Sequence, residues 1–314
     1  MTVTGLQASP RREVRVRAPG KVNLALRVGP RRPDGYHPLS TVFQAVSVYE
    51  EVVAVPHDDF VLTASGPQSA AVPTDETNLA LQAARLLAAH VGCAQGVHLH
   101  LAKAVPVAGG MAGGSADAAA ALLACDALWG TALGRDELTA LAARLGADVP
   151  FMLTGHTAVG AGRGDLLTPA MSRGEVHWAF AVRDEGLSTG RVYAELDRLR
   201  EGTRPAMPSG AADVTLMQAL RAGDPAALGA ALHNDLQAAA LELAPDLAEP
   251  LAVAHAAGAL GAVVSGSGPT VAALARSRQH AQVIAAAFTA EGVADRVLTA
   301  VGPVPGARVV TGGD

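Results

Sequence analysis

Apolar and polar residues change period along this chain, and each change marks the end of one element and the start of another. Val22, Leu24, Leu26 and Val28 alternate with Asn23, Ala25 and Arg27, the two-residue period of a half-buried strand. Gly29 to Gly35, broken by Pro30 and Pro33, reads as a turn-rich loop, and Thr41 to Val55 resumes an extended pattern. Asn78 to Val91 has helical spacing, and Val97, Leu99 and Leu101 alternate with His98 and His100 in a strand running toward a glycine-crowded turn. The alanine- and leucine-rich segment Ala116 to Trp129 predicts a helix after that turn, and Asp136 to Leu145 predicts another. A turn over Gly146 to Phe151 and a short strand near Ala158 follow.

Gly160 to Asp165, followed by Pro169, is the expected domain boundary, dividing the chain into 1–168 and 169–314. Beyond it the pattern predicts a strand over His177 to Val182, a helix over Thr189 to Leu199 and a loop over Gly202 to Gly210. Helices over Asp213 to Ala222, Pro225 to Leu243 and Pro245 to Ala257 come next. A glycine-turned hairpin (Ala262 to Leu274), a helix (Ser277 to Glu291) and strands near Val297 and Val309 close the chain. Strands and helices mixed in both halves predict an α+β fold of two domains rather than one long parallel sheet, and 314 residues suit two domains.

The turn between strand and helix carries the strongest chemical signal. Glycine loses more backbone entropy on folding than any other residue, yet Gly109, Gly110, Gly113 and Gly114 fall within six positions. They precede a helix, whose N-terminus presents unpaired N–H groups and the positive end of the helix dipole. Amides uncovered by side chains can close around a phosphate, with Ser115 and Asp117 as cap residues; the plain alternative is a flexible loop before a helix. A Walker A loop would end in Gly-Lys-Ser/Thr, and a dinucleotide fingerprint would space its glycines differently. The segment is a phosphate cradle of neither type.

Composition narrows the field. Half of the residues are hydrophobic but only 3% are aromatic, and the longest uncharged stretch, Pro250 to Ala275, is interrupted by Ser265-Gly266-Ser267-Gly268-Pro269. No spanning helix is expected there. The N-terminal arginines, Arg11, Arg12, Arg15 and Arg17, adjoin no apolar segment of the secretory kind. Cys93 and Cys125 match no metal or redox spacing, and a net charge of −5 disfavours a nucleic-acid partner. A soluble cytoplasmic protein, monomeric or homodimeric, is the expectation. His98 and His100 lack nearby third and fourth ligands and read as a strand face rather than a metal site. Of 24 basic residues only Lys21 and Lys103 are lysines, and a compact ammonium differs from a guanidinium where one oxygen must be approached.

Three segments in order, Ala18-Pro19-Gly20-Lys21-Val22-Asn23-Leu24, Pro106 to Asp117 and Val264 to Thr270, resemble the GHMP kinases, small-molecule kinases related to galactokinase, homoserine kinase and mevalonate kinase. They span the chain nearly end to end. The resemblance implies a ribosomal-S5-domain-2-like N-terminal domain for ATP and catalysis and a ferredoxin-like C-terminal domain for the substrate. Arg32 to His37, Leu145 to Phe151, Ser188-Thr189 with Val192-Tyr193, and Asn234-Asp235-Leu236 further resemble the branch whose acceptor carries cytidine diphosphate. That branch transfers the ATP γ-phosphoryl group to the tertiary 2-hydroxyl of a methylerythritol unit in non-mevalonate isoprenoid (terpenoid) biosynthesis. Ala108 and Ala112 replace glycines usual in that branch, and Met111 replaces a common leucine; alanine favours negative φ, which predicts a slightly tighter loop.

The resemblance also implies roles. Asp148 is the candidate base, against the alternative of an ordinary turn residue before Val149-Pro150, and Lys21 would hold it ionised and polarise the acceptor oxygen. Pro106, Val107, Ala108, Gly109, Gly110, Met111, Ala112, Gly113, Gly114, Ser115 and Ala116 would cradle ATP, and Ser115 would cap the helix or reach phosphate or magnesium. Mg²⁺ is expected with the triphosphate, its ligands unidentified. Lys103 would touch nucleotide phosphate or ribose, or else only the surface. Tyr36 and Tyr193 would stack on the two faces of cytosine and His37 would pair with its edge, while Tyr193 suits core packing equally well. Asn23 and Thr189 are candidate polar contacts to the acceptor, and Ser265 to Thr270 either shapes that side or is a simple hairpin. Homoserine- or mevalonate-type kinases, and a non-catalytic ligand sensor on the same fold, are the rival readings; the sensor would be expected to lack the base or the lysine.

Overall fold

The computed structural model describes residues 13–203 and 214–310; Arg11, Arg12, most of the Gly202–Gly210 loop and Asp213 lie outside them. In chain order the first part is β1 (Val14–Val28), β2 (Leu39–His57), β3 (Phe60–Ser65), α1 (Leu79–Val91), β4 (Gly96–Ala102), α2 (Gly113–Trp129), α3 (Arg135–Leu145), α4 (Val149–Thr154), β5 (Thr157–Gly162) and β6 (Leu166–Pro169). The rest is β7 (Val176–Val182), α5 (Thr189–Leu199), α6 (Val214–Ala222), α7 (Pro225–Ala230), β8 (His233–Asn234), α8 (Gln237–Leu243), α9 (Ala248–Ala256), β9 (Gly261–Val264), β10 (Val271–Ala275), α10 (Arg278–Ala290), β11 (Arg296–Gly302) and β12 (Arg308–Val309).

Two sheets organise the chain. In the first, β1 and β2 form a long antiparallel pair, and each changes its other partner along its length: β12 then β8 beside β1, β5 then β4 beside β2. In the second, the order is β11-β7-β10-β9, antiparallel throughout. Within that unit this is fourth, first, third, second, the order of a ferredoxin-like βαββαβ motif. The fold is α+β. The division near residue 169 matches the sheets only in part, because β8 and β12, from the second half, complete the first sheet.

Three apolar layers hold the sheets and helices together. Val16, Ala45 and Leu99 on one face of the first sheet pack against Leu87 of α1, Leu122 of α2 and Phe151 of α4. Val22, Leu24 and Val46 on its opposite face meet Trp178 and Phe180 of β7, and the Trp178 indole donates to Gln44 Oε1 at 3.2 Å. Ala179 and Ala181, on the other face of β7, meet Val192, Ile284 and Phe288 of α5 and α10. Alternate residues of β7 thus serve two cores, as a two-residue period requires. Each fully buried Leu or Phe here contributes roughly 1.5–3 kcal/mol of burial.

Several predicted elements differ: the turn expected over Gly146 to Phe151 becomes a helix, α4, from Val149, and α2 starts at Gly113 rather than Ala116. Pro225 to Leu243 is not one helix: it stops at Ala230, pairs in parallel with β1 through His233 and Asn234, and restarts at Gln237. Gly229, Asn234 and Asp235 are poor helix formers at the break, and pairing with Ala25 and Leu26 overrides the helical propensity of the alanines around them. The predicted 245–257 helix begins as a short 3₁₀ turn, Pro245–Leu247, that runs directly into α9.

Candidate active site

The register of β1 against β2 shifts between Pro19 and Gly20 and again between Asn23 and Ala25. Such irregularities re-aim side chains, and here they flank Lys21 and Asn23. Lys21 donates from Nζ to Asn23 Oδ1 and to the Gly110 carbonyl, both at 2.8 Å. Asn23 in turn donates to Thr41 Oγ1 (2.8 Å), and Thr41 Oγ1 donates to the Ala25 carbonyl (2.7 Å). Burial lowers the Lys21 pKa, and the charge of Asp148 opposes that shift.

Asp148 stands at the start of α4 with φ −83° and ψ −16°, and its carboxylate makes no capping bond. The side chain is therefore not consumed by the local role that aspartate usually fills before a helix. Its negative charge also reaches Tyr193, whose phenol is pushed up to about 12 mainly by burial and further by Asp148.

The glycine turn is built by close approach. A Cβ on Gly110, which has φ +77°, would lie 1.9 Å from the Ser265 carbonyl oxygen, so only glycine lets the turn dock on the 265–268 loop. Ser265 Oγ donates to the Gly110 carbonyl at 3.1 Å, beside the Lys21 ammonium on the same oxygen. Asn234 holds that second loop, donating to the carbonyls of Val264 and Gly266 at 2.7 Å each and accepting the Leu236 N–H at 2.9 Å. Thr189 Oγ1 lies 3.0 Å from Ser267 Oγ.

Two clefts meet at this point. One, of about 470 Å³, is lined by Lys21, Asn23, Pro106, Ala108, Gly109, Gly110, Ala112, Gly113, Gly114 and Ser115 together with Asp148, Thr189 and Tyr193. The other, of about 540 Å³, is lined by Arg31, Tyr36, His37, Ala147, Arg163 and Asp197. Asp148, Ser115, Thr189, Tyr193, Arg163 and Leu39 line both. In the second cleft His37 Nε2 lies 2.8 Å from Asp197 Oδ1 and its ring centroid 5.1 Å from that of Tyr193. The Arg163 guanidinium sits 3.8 Å from the Tyr36 ring centroid, so one face of that half-exposed tyrosine is already covered.

Several expectations are corrected by these positions. Ala108 and Ala112 adopt positive φ, 51° and 60°, not the negative values expected of alanine. Ala112 is the N-cap of α2, which begins at Gly113, so Ser115 and Asp117 lie inside the helix rather than capping it. Val107 gives its N–H to Gln68 Oε1 (2.9 Å), Ala116 gives its own to the Ala112 carbonyl (3.0 Å), and Met111 is buried among the inter-sheet core. None of these three lines the cleft. Lys103 is neither on the surface nor in the cleft: its ammonium is buried 2.5 Å from both Glu50 Oε1 and Asp117 Oδ2. Phe43, Arg163, Asp197 and Glu50 join the site or its support without any local sequence signal. Their partners are distant in the chain, whereas Asn234, Ser265 and Asp117 lay in recognised segments.

Among the described residues, no group of three or more His, Cys, Asp or Glu is placed to hold a metal ion, and no helix is long and apolar enough to cross a membrane. Cys93 and Cys125 are both free.

Comparison with known proteins agrees with this geometry. Residues 78–156 match the family model for the GHMP kinases N terminal domain, and residues 216–294 match that for the GHMP kinases C terminal region. A 4-diphosphocytidyl-2-C-methyl-D-erythritol kinase of Leifsonia xyli subsp. xyli is 56% identical over 304 residues, 95% of this chain and 99% of that one. A protein of the same name from Thermobifida fusca is 57% identical over 305 residues, 95% and 98% of the two chains. Among solved structures, a 4-(cytidine 5'-diphospho)-2C-methyl-D-erythritol kinase superposes with a TM-score of 0.74 at 34% identity, covering 91% of this chain and 98% of the other. A homoserine kinase from Cytophaga hutchinsonii, 19% identical, superposes with a TM-score of 0.72 over 98% and 100% of the two chains, a likeness of fold alone.

Proposed function

This chain belongs to the GHMP kinase family, and from that membership we infer its reaction: it phosphorylates the 2-hydroxyl of 4-diphosphocytidyl-2-C-methyl-D-erythritol at the expense of ATP, a step of isoprenoid biosynthesis. The observation that carries the mechanism is that Asp148 lines both clefts at once, one rimmed by backbone amides and the other by aromatic rings.

The triphosphate lies along Ala108 to Ser115, where glycines leave amides uncovered at the α2 N-terminus. The cytidine end lies in the second cleft, against Tyr193 and the outer face of Tyr36, with the backbone and free ring nitrogen of His37 available to the base edge. The acceptor hydroxyl then falls between them, at Asp148. Phosphoryl transfer asks mainly for alignment and charge stabilisation. Asp148 accepts the hydroxyl proton as that oxygen bonds to the γ-phosphorus and the bond to ADP breaks. Lys21, immobilised by Asn23 and Gly110, keeps a positive charge beside the carboxylate and the entering oxygen. Thr189 and Asn23 are polar contacts for the erythritol and diphosphate.

Mg²⁺ would accompany the nucleotide, where it would offset phosphate charge. Such an ion would be held chiefly by the phosphates and waters, since among the described residues no group of three or more His, Cys, Asp or Glu is placed for it.

A coupled assay of ADP release tests the reaction. The cytidine-linked acceptor is expected to support turnover at least about a hundredfold faster than homoserine or mevalonate, neither of which has a base for the second cleft. Equal rates on homoserine would refute the substrate assignment.

A further inference from the structure

One group of buried charges is not used by the chemistry above. Lys103, Glu50 and Asp117 lie beneath the phosphate loop and are contributed by three different segments. Lys103 follows β4 and immediately precedes the loop; Glu50 belongs to β2; Asp117 belongs to α2, which leaves the loop. Glu50 Oε2 accepts the Ala104 N–H at 3.0 Å, tying down the loop's entrance. A Cβ on Gly113, at the loop's exit, would lie 2.9 Å from Glu50 Oε1. Gly113 itself lines the nucleotide cleft, so one residue's thickness of backbone separates Glu50 from the expected phosphates. Glu50 is fully buried, and Asp117 Oδ1 has no hydrogen-bond partner.

Two carboxylates against one ammonium leave this group with an excess negative charge when all three are ionised. It lies at the positive end of α2, which must also attract the triphosphate. Two anions on opposite sides of one helix terminus compete for the same field.

We propose that Glu50, Lys103 and Asp117 form a brace under the phosphate loop that fixes both its ends and sets the charge the nucleotide meets, making the three residues positioning residues for ATP. The inference rests on the nucleotide site proposed above. Burial and the charge of Asp117 push Glu50 up to about 7, against the pull of Lys103. The groups acting on Glu50 are thus Asp117 from α2, Lys103 from the end of β4 and the Ala104 N–H. A bound triphosphate adds negative charge and favours the protonated Glu50. Nucleotide affinity from this source is therefore greatest below pH 7 and is lost as the pH rises through it.

The test uses the full chain and magnesium adenylyl imidodiphosphate, with binding measured by calorimetry from pH 6 to 8.5 in wild type, Glu50→Gln and Asp117→Asn. The nucleotide's own titration is common to all three proteins and cancels in the comparison. At pH 8.5 Glu50→Gln is expected to bind at least threefold more tightly than wild type, while the two agree within twofold at pH 6. Asp117→Asn, also isosteric, is expected to flatten the pH dependence in the same direction and serves alone should Glu50→Gln not fold. The KM for the cytidine-linked acceptor is expected to stay within twofold in both. Variants that follow the wild-type pH profile, or that change the acceptor KM as much as nucleotide affinity, overturn the brace. A wild type that binds no nucleotide at all overturns the nucleotide site instead.

Discussion

Single residues at this site depart from their usual preferences for reasons that can be traced. Ala108 holds φ 51° in a left-handed conformation that costs an L-residue roughly 1–2 kcal/mol, and its methyl group is exposed. Glycine would remove that strain and give back somewhat less in unfolded-state entropy. Ala108→Gly is therefore expected to raise stability by up to about 1 kcal/mol in urea denaturation; a loss of similar size would show that the alanine is not strained. The sequence could not reveal this, since alanine ordinarily signals negative φ. Family resemblance singled out Lys21 and Asp148, and both line the first cleft. Lys103 was legible as unusual through the scarcity of lysine, but not in its role, because Glu50 lies 54 positions before Ala104 in the chain. A buried ion pair between distant segments has no local signature.

At the scale of elements, what decides the site is how loops are clamped to one another. The glycine turn and the 265–268 loop touch through Gly110, Lys21 and Ser265, and Asn234 fastens the latter with two hydrogen bonds, to the carbonyls of Val264 and Gly266, while accepting the Leu236 N–H. Asn234→Ala would leave two carbonyls and one N–H buried without partners. The expected cost is about 2–4 kcal/mol, with a fall in turnover because the surface beside Lys21 and Thr189 loosens; denaturation curves and steady-state rates check both. Unchanged stability would mean that the loop holds its shape without Asn234. Most elements were readable from periodicity: β7, α5, α10 and the β9–β10 hairpin match their predicted positions closely. The break at His233–Asn234 was not, because an alanine-rich segment reads as continuous helix until a strand edge competes for it. The start of α2 was also misplaced, since Gly113 and Gly114 read as loop but form its first turn.

The molecule as a whole brings together residues from both halves of the chain. Gln68 accepts the Val107 N–H and an Arg296 N–H, and donates to Asp184, so the glycine turn is linked to the second sheet. The second cleft draws Tyr36 and His37 from the first half and Tyr193 and Asp197 from the second. An α+β, two-part architecture was legible from the alternation of elements; the completion of the first sheet by β8 and β12 was not, since two-residue pairings carry no periodicity. All of this converges on Asp148, where the two clefts join. The most direct measurement is Asp148→Asn with nucleotide binding and product formation followed in parallel. The isosteric amide is expected to bind magnesium adenylyl imidodiphosphate and the cytidine-linked acceptor within about threefold of wild type while losing on the order of 10²–10⁴ in turnover. Turnover near the wild-type rate would contradict the account, because no proton acceptor would then be needed at the junction of the clefts.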